Sequence, residues 1–369
     1  MKDEGGRMKV LRSAIPSSFI LHPSSFPVAE PLVLVTRGSF VESVHRGHLV
    51  ASDGLGRRVA VLGSPEAVAF IRSAAKPFQA VPLVASGAAE AFGLEDRELA
   101  VACGSHDATP AHTETVESLL RKAGLDVSDL NCGPHEPYSK AAAESLKARG
   151  ERPTAVHNNC SGNHAGMLAL ARHLGADVKT YHLPENPAQR EIFRAVSRFS
   201  GVPAEELGYA VDNCAAPTFA LTIGTVALML ARLVSPKPPA SADAARRIVG
   251  AMMAHPSMVE GEGELDTELM RAAPGRLVSK VGAEGVYAAG ILPCERWPEG
   301  LGLACKIEDG DKGDRARPRI AVEALRQLGV LGKDELKSLS KFARETLKNH
   351  RGESVGEVRA AFQIPLRGD

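Results

Sequence analysis

Short apolar runs separated by glycines and charged turns open the folded part of the chain. They occupy residues 32–35, 40–47, 48–52 and 58–62. Runs of this length with turn residues between them predict an antiparallel meander of β-strands. Similar runs bracketed by glycines return at residues 277–291, so strands are expected near both ends of the chain.

The middle of the chain carries helical patterns instead. Gly93 and Gly124 are expected to end two of the helices, because glycine readily adopts the backbone conformation of a helix C-terminus. Strands at both ends with helices between them predict one sheet with a helical insert, a layered fold of the α+β class. We assign it to a single domain over residues 31–369. The predicted helices are residues 70–92, 113–122, 187–197, 242–254, 320–328 and 333–348.

Residues 1–30 are expected to be a flexible extension, or the product of a start codon placed too early. Basic residues precede a stretch broken by Pro16 and Pro23, which does not form the apolar core of a signal peptide. The stretch also repeats itself, because the sequence PSSF occurs twice within it. Folding is therefore expected to begin near Glu30.

Residues 214–231 carry no charge and resemble a membrane span at first sight. Pro217, Gly224 and three threonines interrupt the run. It also falls short of the ~20 strongly apolar residues that cross a bilayer. We predict a buried helix.

Charge and composition exclude several classes of partner. The 369 residues include 44 Lys+Arg and 44 Asp+Glu, so the formal net charge is zero. A neutral chain does not attract phosphate backbones or anionic lipids, and aromatic residues at 4% offer no base-stacking surface. The six cysteines form no CxxC pair and follow no evident secretory signal, so reduced thiols in a cytoplasmic protein are expected.

The sharpest chemical motif is Ser73 followed three residues later by Lys76. This spacing places both side chains on one helical face, where a lysine amine can take the proton of a serine hydroxyl. Burial, or a neighbouring cation such as Arg72 or Lys280, would lower a lysine pKa for this task. Pro77 has no N–H, so the helix is expected to begin near Ser73, where negative charge is favoured. The alternative is an N-cap serine and a solvated lysine.

A second group of candidates lies in segments rich in small and polar residues. Cys160 and His164 are four residues apart, and Asp212 and Cys214 would add a carboxylate and a thiolate. These residue types suit a metal-binding turn or a substrate loop. Two buried free cysteines are the alternative, because free cysteine is a common core residue.

Lysine-assisted serine hydrolases need a second hydroxyl and a second cation near the nucleophile. Ser105 lies in a short polar cluster and could supply the hydroxyl. Lys280 lies at the edge of a β-like run and could supply the cation. Together with the motifs above, these residues make the sequence resemble the L-asparaginase II family of the rhizobial, thermolabile type. The resemblance covers about residues 31–365. It rests, in chain order, on residues 42–47 (ESVHRG), 72–80 (RSAAKPFQA), 105–106 (SH), 157–162 (HNNCSG), 164–167 (HAGM), 212–214 (DNC), 263–267 (GELDT) and 280–285 (KVGAEG).

The resemblance implies the fold of serine β-lactamases, penicillin-binding proteins and glutaminases, which is an α/β/α sandwich around an antiparallel sheet. It also implies that Ser73 is the nucleophile and that Lys76 is its base. Ser105 and Lys280 would form a second Ser–Lys pair that moves protons and activates the deacylating water.

By the same resemblance, three residues would line the substrate pocket. These are Arg72, His164 and Asp212, with Asp212 as the partner of the substrate ammonium group. Relatives also imply a homodimer.

The resemblance further implies part of a zinc site. Family members bind zinc through two cysteines, which correspond to Cys160 and Cys214, and through a lysine between them. Asn163 stands at the lysine position, and an amide is a weaker, neutral ligand for zinc. His164 or a water molecule would have to complete the site, and the implied chemistry does not require the metal.

The implied reaction is hydrolysis of L-asparagine to L-aspartate and ammonia through an acyl-enzyme. Glutamine, a β-aspartyl amide or another small amide are alternative substrates, because one methylene changes binding by only ~1–3 kcal/mol. A catalytically silent protein that binds a metal or an amino acid is a further alternative. The presence of both Ser–Lys pairs favours the enzyme, and neither nucleic acid nor membrane is expected as a partner.

Overall fold

The computed structural model describes residues 27–236 and 241–366. Most of the predicted N-terminal extension lies outside these residues, so it stays a prediction. The first strand begins at Glu30, which is where the sequence predicts that folding begins.

Strands from both ends of the chain form one antiparallel sheet, as the apolar runs predict. The strands are β1 (Glu30–Arg37), β2 (Phe40–Asp53), β3 (Arg58–Leu62), β4 (Val68–Phe70), β5 (Gly208–Val211), β6 (Pro217–Thr222), β7 (Leu277–Gly282), β8 (Val286–Ile291), β9 (Leu301–Ile307), β10 (Arg344–Lys348) and β11 (Ser354–Ala360). The eight-stranded main sheet has the order β10-β11-β1-β2-β9-β8-β7, and β3 pairs with β2. The remaining three strands form a small second sheet, β4-β6-β5, which the sequence does not predict.

Strand β2 is longer than the sequence predicts. The apolar runs at residues 40–47 and 48–52 form one strand of 14 residues. Its first half pairs with β1, and from Gly47 onward it pairs with β9. A Cβ on Gly47 would lie 2.4 Å from the carbonyl oxygen of Lys306. The glycine therefore marks a close approach between strands and not the predicted turn.

Most helices lie between β4 and β7, where the sequence predicts the helical insert. The predicted helices at residues 113–122, 187–197, 242–254 and 320–328 are confirmed to within a few residues. The helices are α1 (Lys76–Ala85), α2 (Ala88–Ala91), α3 (Asp96–Ala102), α4 (Pro110–Lys122), α5 (Lys140–Ala148), α6 (Ser161–His173), α7 (Pro187–Ser200), α8 (Ile223–Val234), α9 (Ala242–Ala254), α10 (Pro256–Val259), α11 (Leu265–Ala272), α12 (Arg317–Gln327), α13 (Lys333–Ser338) and α14 (Ser340–Ala343).

Three predicted helices are wrong in part. Residues 70–92 divide into the end of β4, a 3₁₀ turn and helices α1 and α2. Residues 333–348 form α13, α14 and then the edge strand β10, whose charged residues are typical of a protected sheet edge. The uncharged residues 214–231 contain β6 ahead of α8. Within the two described ranges, no helix is long and apolar enough to cross a membrane.

Helices cover the main sheet on both faces. Helix α8 packs against β2, β8 and β9, and α12 contacts β1, β8 and β11. Strands β7 and β8 are buried at every position, which requires cover on both faces because side chains alternate along a strand. The layered α/β/α architecture with an antiparallel central sheet is therefore confirmed.

Candidate active site

Ser73 lies in a single 3₁₀ turn, Arg72–Ala75, between β4 and α1. The Lys76 N–H donates to the Ser73 carbonyl, which Pro77 could not do because it has no N–H. The backbone of Arg72 adopts a left-handed φ of 49°, which is uncommon for a residue other than glycine. The predicted helix start near Ser73 is confirmed, with a 3₁₀ turn ahead of the α-helix.

The side chain of Lys76 joins three distant segments. Its Nζ lies 2.7 Å from the Gly104 carbonyl oxygen, 2.9 Å from Ser105 Oγ and 3.2 Å from Cys160 Sγ. A lysine amino group has three donor positions, so these contacts occupy all of them. Because Lys76 is only 3% exposed, the alternative of a solvated lysine is wrong.

Ser105 lies in a loop between α3 and α4 that is fixed on both sides. Its N–H donates to the Val259 carbonyl at 2.8 Å, and the Nε2 atom of His106 lies 2.9 Å from Ser161 Oγ. A Cβ on Gly104 would lie 2.5 Å from the carbonyl oxygen of Met258, so only glycine allows this approach. The loop thereby holds the Ser105 hydroxyl against the amino group of Lys76.

Arg72 and Asp212 form a two-point ion pair beside Ser73. The Nε atom of Arg72 lies 2.9 Å from Asp212 Oδ2, and its Nη2 lies 2.6 Å from Oδ1. The hydrogen bond to Asp212 raises the pKa of Arg72, so the guanidinium stays charged. Both side chains are 17–18% exposed, so they offer one positive and one negative group to a ligand.

The two predicted metal-binding cysteines meet. Cys160 lies at the start of α6, and Cys214 lies between β5 and β6. A hydrogen bond between the two sulfur groups lowers the pKa of Cys160 and raises that of Cys214. Lys76 also lowers the pKa of Cys160. Of the two thiols, Cys160 is therefore the more acidic, and it lies beside the lysine.

The residues around these cysteines do not fit zinc. Structural zinc almost always has four ligands drawn from sulfur, imidazole nitrogen and carboxylate oxygen. The side-chain nitrogen of Asn163 donates to the Ala102 carbonyl at 3.0 Å, which leaves only a neutral amide oxygen. The Nδ1 atom of His164 is bound to Tyr181. The described part of the chain contains no group of three or more His, Cys, Asp or Glu that could hold a metal ion.

Lys280 forms a buried ion pair with Asp266. Its Nζ lies 2.9 Å from Asp266 Oδ2, and the two side chains are 1% and 0% exposed. A serine hydroxyl and a backbone N–H of β7 also donate to this carboxylate. The resemblance implies a Ser105–Lys280 pair, whereas the hydrogen bonds join Ser105 to Lys76 and Lys280 to Asp266. Strand β7 does pack against the turn that carries Ser73.

His164 is fully buried and is not among the residues that line the cleft. Its Nδ1 lies 2.5 Å from the Tyr181 hydroxyl oxygen, which also accepts the N–H of Asn131. The Tyr181 hydroxyl is therefore assigned as the donor to Nδ1, and the one proton of the neutral ring is assigned to Nε2. Nε2 is buried without a hydrogen-bond partner. Burial lowers the pKa of His164 to about 3, so the ring is neutral.

One small cleft collects most of the predicted site residues. The sequence does not single out two of its polar members, Gln79 and Thr218. The hydroxyl of Thr218 is buried without a hydrogen-bond partner, so it is free to bind a ligand. The one feature of the sequence that points to Thr218 is its position as a polar residue within the uncharged residues 214–231. The lining residues are Arg72, Ser73, Lys76, Gln79, Cys160, Asn163, Asp212, Cys214, Ala216, Pro217 and Thr218.

A family model described as L-asparaginase II matches residues 33–360. No curated protein matches the chain. Among solved structures, a Bacillus glutaminase crystallised in 4.3 M NaCl is 12% identical with a TM-score of 0.38, over 77% of this chain and 91% of that chain. A probable glutaminase from Bacillus subtilis complexed with 6-diazo-5-oxo-L-norleucine is 14% identical with a TM-score of 0.36, over 77% and 85% of the two chains.

Proposed function

The chain belongs to the L-asparaginase II family and is an amidohydrolase, and we propose that its substrate is L-asparagine. The reaction converts the side-chain carboxamide to a carboxylate and releases ammonia. We assign the chemistry to the cleft lined by Ser73 and Lys76, because the buried lysine also contacts a second serine, Ser105.

Ser73 is the proposed nucleophile. Its hydroxyl oxygen attacks the carboxamide carbon, and Lys76 receives the hydroxyl proton as general base. The three acceptors around Lys76 hold its amino group in place, and one of its protons must leave before it can take up another. Ser105 is in direct contact with this nitrogen, so we propose that it carries a proton between Lys76 and the departing nitrogen.

The tetrahedral intermediate then loses ammonia and leaves an aspartyl ester on Ser73. The first N–H groups of a helix have no partners within the helix, so those at the Ser73 turn are suited to stabilise the oxyanion. Water attacks the ester in the second step and regenerates the serine. Lys280 takes no direct part in this proposal, because its ammonium group is bound to Asp266.

The charges of the cleft support an amino-acid substrate. A zwitterion needs one anionic and one cationic partner, and the Asp212–Arg72 pair offers both. We assign Asp212 to the substrate ammonium group and Arg72 to its carboxylate. The unpartnered hydroxyl of Thr218 then supplies a further hydrogen bond to the bound amino acid.

The observation that carries this proposal is that Lys76, which lines the cleft with Ser73, contacts Ser105 and Cys160. We expect Ser73→Ala to lower ammonia release from asparagine by at least ~10³-fold, because the acyl-enzyme cannot form. Ammonia release is measured with asparagine and glutamine side by side, and circular dichroism checks the fold.

Ser338→Ala is the matched control, since this serine is exposed on α13, away from the cleft. Its rate is expected to equal that of the unmodified protein. Turnover retained in Ser73→Ala would rule out Ser73 as the nucleophile. Faster hydrolysis of glutamine than of asparagine would rule out asparagine as the preferred substrate.

A further inference from the structure

Cys160 and Cys214 form a thiol pair in the wall of the cleft. The two thiols are near enough that each shifts the pKa of the other, and Cys160 Sγ lies 3.2 Å from Lys76 Nζ. The two residues are 9% and 7% exposed and both line the cleft, so small molecules in the cleft reach them.

The four remaining cysteines have no such arrangement. Cys103 and Cys305 are 0% exposed. Cys132 interacts with Cys160 and Lys76 but is buried outside the cleft lining, so it lacks access. Cys294 is exposed and also lies outside it. A thiol that reacts selectively needs access, a neighbouring cation and a nearby second thiol, and only the pair in the cleft combines these features.

Asn163, which stands where the family has its third zinc ligand, is not placed to bind a metal ion in this chain. The amide of Asn163 is fixed by its hydrogen bond to the Ala102 carbonyl, and the cation next to Cys160 is the amino group of Lys76. With two sulfur ligands and no third strong donor, zinc has no closed site here. The two thiols are therefore not masked by a metal.

Cys160 and Cys214 are held by elements of different rigidity. Cys160 precedes the long helix α6 and its N–H donates to Asn158 Oδ1 at 2.8 Å. Cys214 lies in a tight turn closed by the hydrogen bond from the Asp212 N–H to the Ala216 carbonyl. A short turn moves more readily than a buried helix, so Cys214 is the residue that would shift to close a bond.

We propose that peroxide joins Cys160 and Cys214 in a reversible disulfide that inactivates the enzyme. The Cys160 sulfur attacks one oxygen of hydrogen peroxide, the O–O bond breaks, and water and a sulfenic acid form. The Cys214 sulfur then attacks the sulfenic sulfur and expels a second water. In total, two thiols and one peroxide give one disulfide and two waters.

The disulfide removes two features of the active site at once. Lys76 loses a hydrogen-bond partner, because the Cys160 sulfur that accepts from its amino group becomes bonded to Cys214. The turn that carries Cys214 also carries Asp212, so drawing it toward α6 disturbs the Arg72–Asp212 pair. The loss of activity rests on the proposed asparaginase function, whereas disulfide formation does not.

The test is a titration of the full chain, as purified, with hydrogen peroxide. Intact mass is expected to fall by two hydrogens, and a non-reducing digest is expected to yield the peptides of Cys160 and Cys214 joined together. Ammonia release is expected to fall in parallel by at least ~10-fold and to recover with dithiothreitol. Metal analysis of the same sample is expected to find no bound zinc.

Cys294→Ser is the control and is expected to behave as the unmodified protein, because this cysteine is outside the cleft. Cys214→Ser is expected to form no disulfide and to lose recovery by dithiothreitol. Addition of oxygen at Cys160 without a cross-link, a cross-link that leaves activity unchanged, or zinc that protects both thiols would each overturn the proposal. A chain inactive before oxidation would refute the function and leave the mass measurement valid.

Discussion

At the scale of single residues, backbone strain lies at the proposed site. Arg72 has a φ of 49°, and Ala215, in the turn that carries Cys214, has a φ of 72°. Each left-handed residue other than glycine costs roughly 1–2 kcal/mol. Both residues are next to residues that line the cleft. Strained backbone of this kind is common at ligand-binding and active sites. The Arg72–Asp212 ion pair holds the first of them in place.

Asn163→Lys is predicted to create zinc binding. A lysine nitrogen at this position would add a third ligand to the two thiols and restore the donor set implied by the family. We expect the zinc affinity to rise at least ~10-fold over the unmodified chain. Zinc is measured by elemental analysis after dialysis, and thiol titration reports whether both cysteines become protected.

Asn131→Lys serves as the control for this variant, because Asn131 is exposed and does not line the cleft. It is expected to bind no more zinc than the unmodified chain. One equivalent of zinc retained by the unmodified protein would contradict the conclusion that its residues do not fit zinc.

At the scale of elements, the join between α11 and β7 depends on one buried charge pair. Asp266 lies in the first turn of α11, and Lys280 lies in β7. Neither side chain reaches water, so the main compensation for each charge is its partner, with further hydrogen bonds to the carboxylate. Because β7 packs against the turn that carries Ser73, this pair also supports the nucleophile.

Asp266→Asn is predicted to destabilise the protein by about 3–5 kcal/mol, because it leaves the buried Lys280 charge without its partner. The free energy of unfolding is measured by denaturant titration. Asp243→Asn removes a surface partner of Arg246 and is expected to change nothing measurable. Equal stability of the two variants would show that the buried pair is not needed.

The contact between α8 and the sheet depends on Gly302. A Cβ at this position would lie 1.8 Å from the Ala227 carbonyl oxygen, so Gly302→Ala is predicted to push α8 off β9. We expect a loss of about 1–3 kcal/mol, the usual effect of overpacking. Gly250→Ala in α9 is the control, because no atom lies within 4 Å of its added Cβ. It is expected to be neutral or stabilising, and a destabilised Gly250→Ala with a stable Gly302→Ala would refute the argument.

At the scale of the whole molecule, the fold brings together groups that are far apart in the chain. Lys76 contacts Ser105 and Cys160, and Arg72 contacts Asp212, across 29 to 140 residues of sequence. The main sheet, built from both ends of the chain, supports the helical insert that carries these residues. The homodimer and the cytoplasmic location stay predictions.

Buried neutral histidines are predicted to make the protein less stable in acid. Burial lowers the pKa of His164 to about 3 and also lowers that of His106, while an unfolded histidine titrates near 6.5. Below pH 6.5 the unfolded chain therefore binds protons that the folded chain does not bind, and stability falls. The expected slope is roughly 1 kcal/mol per histidine and pH unit.

Glu260 acts in the opposite direction. Burial raises its pKa to about 8, so its contribution to stability is lost as the pH rises from about 4.5 to 8. The histidine effect is isolated by comparing unfolding of the unmodified protein and His164→Gln at pH 7.5, 6 and 5. The variant is expected to lose less stability on acidification, and parallel curves would contradict the prediction.

Local patterns predict much of the fold. An apolar run bounded by turn residues locates β3, and helical sequence patterns locate α7 and α9. The pattern fails where tertiary contacts decide. Charged residues 344–348 pair with β11 as an edge strand, and residues 217–222 pair with β4 and β5 instead of extending a helix.

The sequence by itself determined the family, the class of fold and the residue types of the site. Motifs and local patterns of apolar residues depend only on residues close together in the chain. Only the tertiary structure decided which groups meet. Ser105 contacts Lys76, whereas Lys280 pairs with Asp266, and Asn163 is held by a backbone carbonyl. Such pairings depend on how strands and helices pack across long chain separations, and the physical reason is that each buried polar group must find a partner there.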